Sequence, residues 1–484
     1  MIRSDAHSRS LTDKQPIERR SSEGGVGRVL LCAYACSPDR GSEESVGWDT
    51  SVQLAGRGHE VVVLTRSCEK HLSENKAKTL NLASPPLFVD CNISSWWTAL
   101  FSRMGKIGVD LAYFIWLIKA RGMVRKLHRL HQFTSTQHVT YARYWMPSPL
   151  SILDIPFIWG PVGGGESIPK SFISHFSFSG RMFETLRNGM RLLGESLSPT
   201  RSNATRSLVA LANTRETATR MKRLGASSIR IMNSAALSTK DQLTLAVDVP
   251  KPTRLTFISV GRLLEWKGFQ YGIQAFAKAG LTEARYIIVG SGPYRSSLIK
   301  LSQKLGLEDR VEFLEAIPRA DLFTLMSSSH ALIHPSMHES GGYVCLEMMA
   351  AGNPVICLDA GGPALFVDRT CGLVATTDSV AQSTDEMAAF MVRLSRDPSL
   401  GCQLGESGRQ RVKNRFSMSV KSDELSAIHK TFAAINCNGP ESIVRVNSSF
   451  EGAKSTTSPK SSRRAKSSKK TSNPRETIRR TRRA

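Results

Sequence analysis

Twice along the chain, short β-branched apolar runs alternate with helix-length amphipathic stretches. In the first half the runs are VLLCAYA (29–35), EVVVLT (60–65), LFVD (87–90), VTYA (139–142), PFIWG (156–160), LVALAN (208–213) and IRIM (229–232). In the second half they are LTFISVG (255–261), YIIVG (286–290), VEFL (311–314), ALIHP (331–335), PVICL (354–358) and GLVA (372–375). Strands separated by helices form βαβ units, whose parallel sheets need cover on both faces. No repeat at a 20–50-residue period is present, which excludes solenoids and propellers. The polar, proline-flanked stretch 233–253 separates the two series. The expected fold class is α/β: two doubly wound, Rossmann-like domains facing each other across a cleft. Ligands then belong at the carboxyl ends of the strands.

A length of 484 residues fits two or three domains, and 40% hydrophobic with 22% charged residues is a globular composition. The boundaries read as a disordered segment 1–27, a first domain 28–235, a linker 236–253, a second domain with closing helix 254–436, and a basic disordered tail 437–484. The net charge of +24 is unevenly spread. Residues 451–484 hold 12 Lys+Arg against 2 acidic residues and almost nothing apolar, so they cannot offset the entropy of folding. The tail has no interleaved aromatics and no recognisable module, which argues against nucleic acid as a partner. No apolar run approaches the ~18 residues of a spanning helix. The first 25 residues lack the apolar centre of a signal peptide. Nine cysteines without metal-ligand or redox spacing read as reduced thiols, which fits the cytoplasm.

Three loops of the second half carry chemistry. ALIHPSMHESGGYVCLEMMAAGNPV is a strand, a glycine-containing loop and a helix opening near Gly342–Tyr343 and stopping at Gly352. The start of such a helix offers free amides and a positive dipole end, an anion site. Glu339 and Glu347 flank it; beside an anion, carboxylates suit sugar and ribose hydroxyls. In VGRLLEWKG, Gly261 and Arg262 end a strand and Lys267 opens the next turn, so two cations can clamp a diphosphate. In VGSGP, Gly290 and Gly292 follow a strand without the full three-glycine fingerprint. His330, His334 and His59 read as structural histidines.

Together these loops resemble the family 4 (group 1) glycosyltransferases of the GT-B fold, whose signature has two glutamates separated by seven residues, as Glu339 and Glu347 are. The resemblance is strong over 254–376, good over 28–65 and loose between. It implies retaining, metal-independent sugar transfer from a nucleoside-diphosphate sugar, with no cofactor beyond that substrate. Arg262 and Lys267 would bind the diphosphate and Glu347 the ribose. Glu339 would hold the transferred sugar, with the Gly342, Tyr343 and Val344 amides near sugar or phosphate, and the stretch Phe313–Ile317 would supply backbone contacts to the base. Gly41 and Ser42 resemble the family's paired-glycine loop, although Ser42 replaces the second glycine. Two further departures are Leu365, where relatives often have Glu, and Gly160–Pro161, where many have a histidine.

On the acceptor side, Gly163, Gly164 and Glu166 are expected to line the cleft. Lys119, Arg121, Arg125, Lys126 and Arg129, with Arg181, Arg187 and Arg191, form basic amphipathic segments suited to peripheral contact with an anionic membrane face. A glycan or a lipid-linked molecule is the expected acceptor. The alternative is a sugar-nucleotide-binding scaffold that has lost transfer, against which the joint presence of Arg262, Lys267, Glu339 and Glu347 argues.

Overall fold

The computed structural model describes residues 26–38 and 43–438. Twelve of the thirteen apolar runs become strands and one strand, β4, is displaced from its run: β1 (Arg28–Ala33), β2 (Glu60–Thr65), β3 (Leu87–Asp90), β4 (Ser135–Thr140), β5 (Phe157–Val162), β6 (Val209–Ala212), β7 (Ile229–Ile231), β8 (Thr256–Val260), β9 (Arg285–Val289), β10 (Val311–Leu314), β11 (Ala331–His334), β12 (Val355–Leu358) and β13 (Gly372–Ala375). They build a seven-stranded sheet, β3-β2-β1-β4-β5-β6-β7, and a six-stranded sheet, β10-β9-β8-β11-β12-β13. All pairings are parallel. The strand order reverses at β1/β4 and at β8/β11, and ligands bind at such switch points. Among the described residues, no helix is long and apolar enough to cross a membrane.

One strand sits away from its expected position. The run VTYA at 139–142 suggested a strand there, but β4 is STQHVT, four residues earlier and buried throughout. Its polar side chains are matched internally, which satisfies buried polar groups as well as apolar burial would. Ser135 Oγ lies 2.8 Å from His429 Nδ1, and His429 Nε2 lies 3.0 Å from Gln137 Oε1. Gln137 donates to the Gly160 carbonyl at 2.9 Å, and Tyr113 Oη lies 3.1 Å from His138 Nε2.

Three segments cross the expected domain boundaries. His429 belongs to the helix Met418–Asn438, which returns to cover the first sheet instead of closing the second domain. Arg57 binds Asp423 of that helix at 2.7 Å, and His59 Nε2 lies 2.9 Å from its Ser426, a structural role for His59. The stretch 236–253, expected as a linker, contains the helix Thr239–Leu245, and Leu237 and Leu245 are buried in the second domain's core. In the other direction, Ile168, Phe172 and Phe176 leave the first domain to pack among Phe257, Phe269 and Tyr271. Phe172 meets Tyr271 edge-on at 5.2 Å, and Glu265 accepts from both the amide and the hydroxyl of Ser177 at 2.7 Å.

This strap gives a test. Phe172→Ala should destabilise the second domain by about 3–5 kcal/mol through lost burial and a residual cavity. Phe178→Ala, at a position 74% exposed, should change stability by no more than about 0.5 kcal/mol. Urea unfolding followed by far-UV dichroism checks both. A second test concerns pH. Burial, aided by nearby His59, pushes His429 down to about 3, and burial pushes His138 down to about 4. Between those values and the ordinary histidine pKa near 6.5, the unfolded chain binds more protons, so stability falls as pH falls through that window. His429→Gln should reduce that slope by about 1.4 kcal/mol per pH unit. An unchanged slope between pH 4.5 and 6 would show that His429 takes up its proton in the native state.

Candidate functional site

The carboxyl ends of both sheets border one cavity of 1470 Å³, lined by residues of both domains. Small-ligand sites occupy roughly 300–1,000 Å³, so this volume suits two substrates side by side.

Two loops of the second domain meet at its centre. After β8, Gly261 lines the cavity, and the chain turns through the short 3-10 segment Glu265–Lys267. Gly268 follows at φ 71°, and a Cβ there would lie 2.0 Å from the Pro335 carbonyl oxygen. Only glycine allows this corner to sit on the loop after β11. The contact brings Lys267 against Glu339, and the two side chains form an ion pair. Burial alone would raise the Glu339 carboxyl, but the Lys267 ammonium holds it well below the usual carboxylate range. His334, at the end of β11, is fully buried and also lines the cavity. Its Nε2 is 3.7 Å from Glu339 Oε2, and neither ring nitrogen has a hydrogen-bond partner among the described residues. Burial pushes its pKa down. His330, by contrast, accepts from the Thr256 amide at 3.1 Å, a structural contact.

The loop after β11 ends at Gly342, the N-cap of the helix Tyr343–Ala350, and Gly342, Tyr343 and Val344 line the cavity. One turn further on, Glu347 accepts from Arg319 at 3.0 Å, and Arg319 also reaches Asp241 at 3.3 Å. Burial raises the Glu347 carboxyl and Arg319 opposes the rise. Reading the sequence alone missed Arg319 and Asp241. A signal existed, because Arg319 opens the helix Arg319–Ser328 at the end where the dipole disfavours a cation.

Several expected residues stand elsewhere. Arg262 is exposed and is not among the residues lining the cavity, so the clamp of two cations is not assembled in this structure. Gly290 and Gly292 also lie off the cavity. Their loop instead braces the one after β8, with the Leu263 amide donating to Ser291 and the Tyr294 amide to Leu263. Ile317 packs half-buried against the second domain's core. Gly41 and Ser42 lie outside the described residues. The helix Glu43–Ala55 that follows them brings Ser45, Val46 and Asp49 to the cavity wall. Burial pushes Asp49 up to about 6, against the pull of the Lys421 ammonium. Lys421, itself buried, is pushed down to about 8 and donates to the Ser234 carbonyl at 2.5 Å.

On the first domain's side, Gly163, Gly164 and Glu166 do line the cavity. A Cβ at Gly163 would lie 2.6 Å from Ser340 Oγ, so the two domains' loops touch there. Asn213 and Asn233 donate to Ser340 at 3.2 and 2.7 Å across the same contact. Glu166 is buried and accepts from the Gly164 amide (3.0 Å), Thr214 (2.8 Å) and Thr217 (2.9 Å). Those bonds use three of its roughly four lone-pair positions, so its work is to shape the loop. Arg187 and Arg191 do not face solvent as expected. Arg191 is 1% exposed and binds the Gly164 and Glu166 carbonyls, while Arg187 pairs with Glu184 at 2.9 Å and contacts His338. The loop's unpaired carbonyls need donors, and the helix Phe178–Ser196 turns Arg187 and Arg191 inward to supply them, while Arg181 stays exposed as expected.

The buried pair predicts a measurable asymmetry. Lys267→Met should cost about 3–5 kcal/mol, because it leaves the Glu339 carboxylate buried without a counter-charge. Adding Glu339→Gln should recover most of that loss in urea unfolding.

Residues 244–411 match the family model described as glycosyl transferases group 1. Among curated proteins, the alpha-D-kanosaminyltransferase of Streptomyces kanamyceticus is 31% identical over 174 residues, 35% of this chain and 44% of that protein. The lipopolysaccharide core biosynthesis glycosyltransferase LpsD of Rhizobium meliloti is 34% identical over 176 residues, 34% of this chain and 46% of that protein. The chain thus spans less than half the length of these relatives. Among solved structures, sucrose-phosphate synthase from Thermosynechococcus elongatus has a TM-score of 0.58 at 18% identity, covering 84% of this chain and 99% of that one. Anabaena HepE, solved with UDP and glucose, has a TM-score of 0.52 at 19% identity, covering 83% of this chain and 99% of that one. The fold is therefore the two-domain, Rossmann-like GT-B architecture, and the stretch that holds Lys267, Glu339 and Glu347 is similar to group 1 glycosyltransferases.

Proposed function

We propose that the chain transfers a sugar from a nucleoside-diphosphate sugar to an acceptor held against the first domain. The carrying observation is the placement of the Lys267–Glu339 pair and Glu347 on either side of one helix N-terminus in a single cavity. The free amides at Gly342–Val344 and the Lys267 ammonium suit a leaving diphosphate, whose charge grows as the glycosidic bond breaks. Glu347 would exchange its bond to Arg319 for bonds to ribose hydroxyls. Glu339, kept ionised, would accept from hydroxyls of the transferred sugar. Arg262 would join the diphosphate from the solvent side. The UDP and glucose held by HepE support a nucleotide-sugar donor.

The finer reading follows the family resemblance: retention of anomeric configuration, with no metal and no cofactor beyond the donor. Wherever the leaving phosphate accepts the acceptor's proton, no enzymic base is needed, consistent with Gly160 and Pro161 standing where relatives have a histidine. The exposed cations Lys119, Arg121, Arg125, Lys126 and Arg129 support peripheral docking on the cytoplasmic membrane face, where a lipid-linked or glycan acceptor would be met.

Thermal unfolding against UDP, GDP, ADP and their sugar conjugates tests the donor site. Ligand at about 100 times its dissociation constant should add roughly 2.7 kcal/mol, a rise of a few degrees. Glu347→Ala should abolish the rise while leaving the unliganded melting point nearly unchanged, since a helix tolerates alanine. A cooperative melt that none of these nucleotides moves would overturn the proposal. A shift without any transfer to alkyl-glycoside or glycan acceptors would favour the scaffold alternative.

A further inference from the structure

The helix Phe178–Ser196 is inverted relative to an ordinary surface helix. Arg187 and Arg191 point inward while Arg181 stays exposed, and its outward stripe is apolar. Phe178, Met182, Leu186, Met190 and Leu193 recur at helical spacing and are exposed, with Leu186 at 61% and Leu193 at 66%. A water-facing stripe of this kind is unfavourable unless something covers it. Its inner part is not separate from the cavity: Leu186, Met190 and Leu193 line the same space as Lys267 and Glu339. The helix Gly105–His131 adds Leu111 and Phe114, which line that space and are also exposed.

We propose that these two helices form an apolar channel that holds the hydrocarbon chain of a lipid acceptor, with the acceptor's hydroxyl end at Glu339 and Lys267. This rests on the transferase reading above and specifies its acceptor. Continuity selects the occupant, because whatever fills the channel must extend to the reacting centre. A purely polar glycan would leave the leucine walls wet. Charge selects the source. Beyond Phe114 the second helix presents Lys119, Arg121, Arg125, Lys126 and Arg129 to solvent, which suits the anionic headgroups of the bilayer that carries such a lipid.

The test uses n-alkyl β-D-glucosides of six, eight and ten carbons, each below its micellar concentration, titrated calorimetrically into the full chain. A chain buried in the channel gains about 0.8 kcal/mol per methylene, so affinity should rise about fourfold per added carbon. Leu186→Glu/Leu193→Glu should flatten that dependence, while Leu72→Glu, at an exposed site (49%) outside the stripe, should retain it. All three proteins should keep the same nucleotide-induced melting shift, which also shows that they are folded. Affinity independent of chain length in the unmodified protein, with the nucleotide shift intact, overturns the channel and leaves the transferase reading standing. Loss of the nucleotide shift in the unmodified protein overturns both. A dimer in sedimentation that Leu186→Glu/Leu193→Glu converts to monomer would assign the stripe to a second copy of the chain and overturn the proposal. Loss of the chain-length dependence in Leu72→Glu would do the same.

Discussion

The buried ion pair between Lys267 and Glu339 is the constraint on which the rest of the site depends. A carboxylate in that position is tolerable only beside a cation, because an unpaired charge there costs several kcal/mol. The pairing requires the loop after β8 to lie on the loop after β11, and Gly268 against Pro335 makes that approach possible. Once the loops are locked, the helix Tyr343–Ala350 begins at a fixed place, and its free amides and Glu347 take their positions from it. The switch point of the second sheet is thus a preorganised anion site bounded by hydroxyl acceptors.

The two domains are not independent blocks joined by a tether. The segment containing Ile168, Phe172 and Phe176 is part of the second core, and the C-terminal helix covers the first sheet through His429. Between these crossings, Gly163 and Ser340 touch directly. The strap, the returning helix and this loop contact therefore tie the two domains together at three places.

The first domain also shows how a polar requirement in one place produces an apolar surface in another. The loop around Gly164 and Glu166 leaves carbonyls that need donors, and Arg187 and Arg191 supply them from the helix Phe178–Ser196. With those positions committed inward, the remaining apolar positions of the helix face the mouth of the cavity. The same geometry joins the acid-and-cation centre to a leucine-lined entrance.

Much of this was legible in the residues themselves. Periodicity of two and 3.6 is a local property, so twelve of the thirteen strands, their division into two sheets and the helix opening at Gly342 could be read directly. The spacing of Glu339 and Glu347, with seven residues between them, named the donor loop. Other features were decided by tertiary structure. β4 escaped an apolar criterion because its serine and glutamine find their partner on a helix nearly 300 residues away and its histidine finds Tyr113 on another. Arg262 and Arg187 look alike in sequence, yet one is left in solvent and the other is buried by the needs of a neighbouring loop. Local sequence determines which element a residue joins, because backbone hydrogen bonding and side-chain period act over a few residues. Which face of that element meets water is determined by packing against distant segments, and that is where Arg319, Asp49 and the apolar channel became visible.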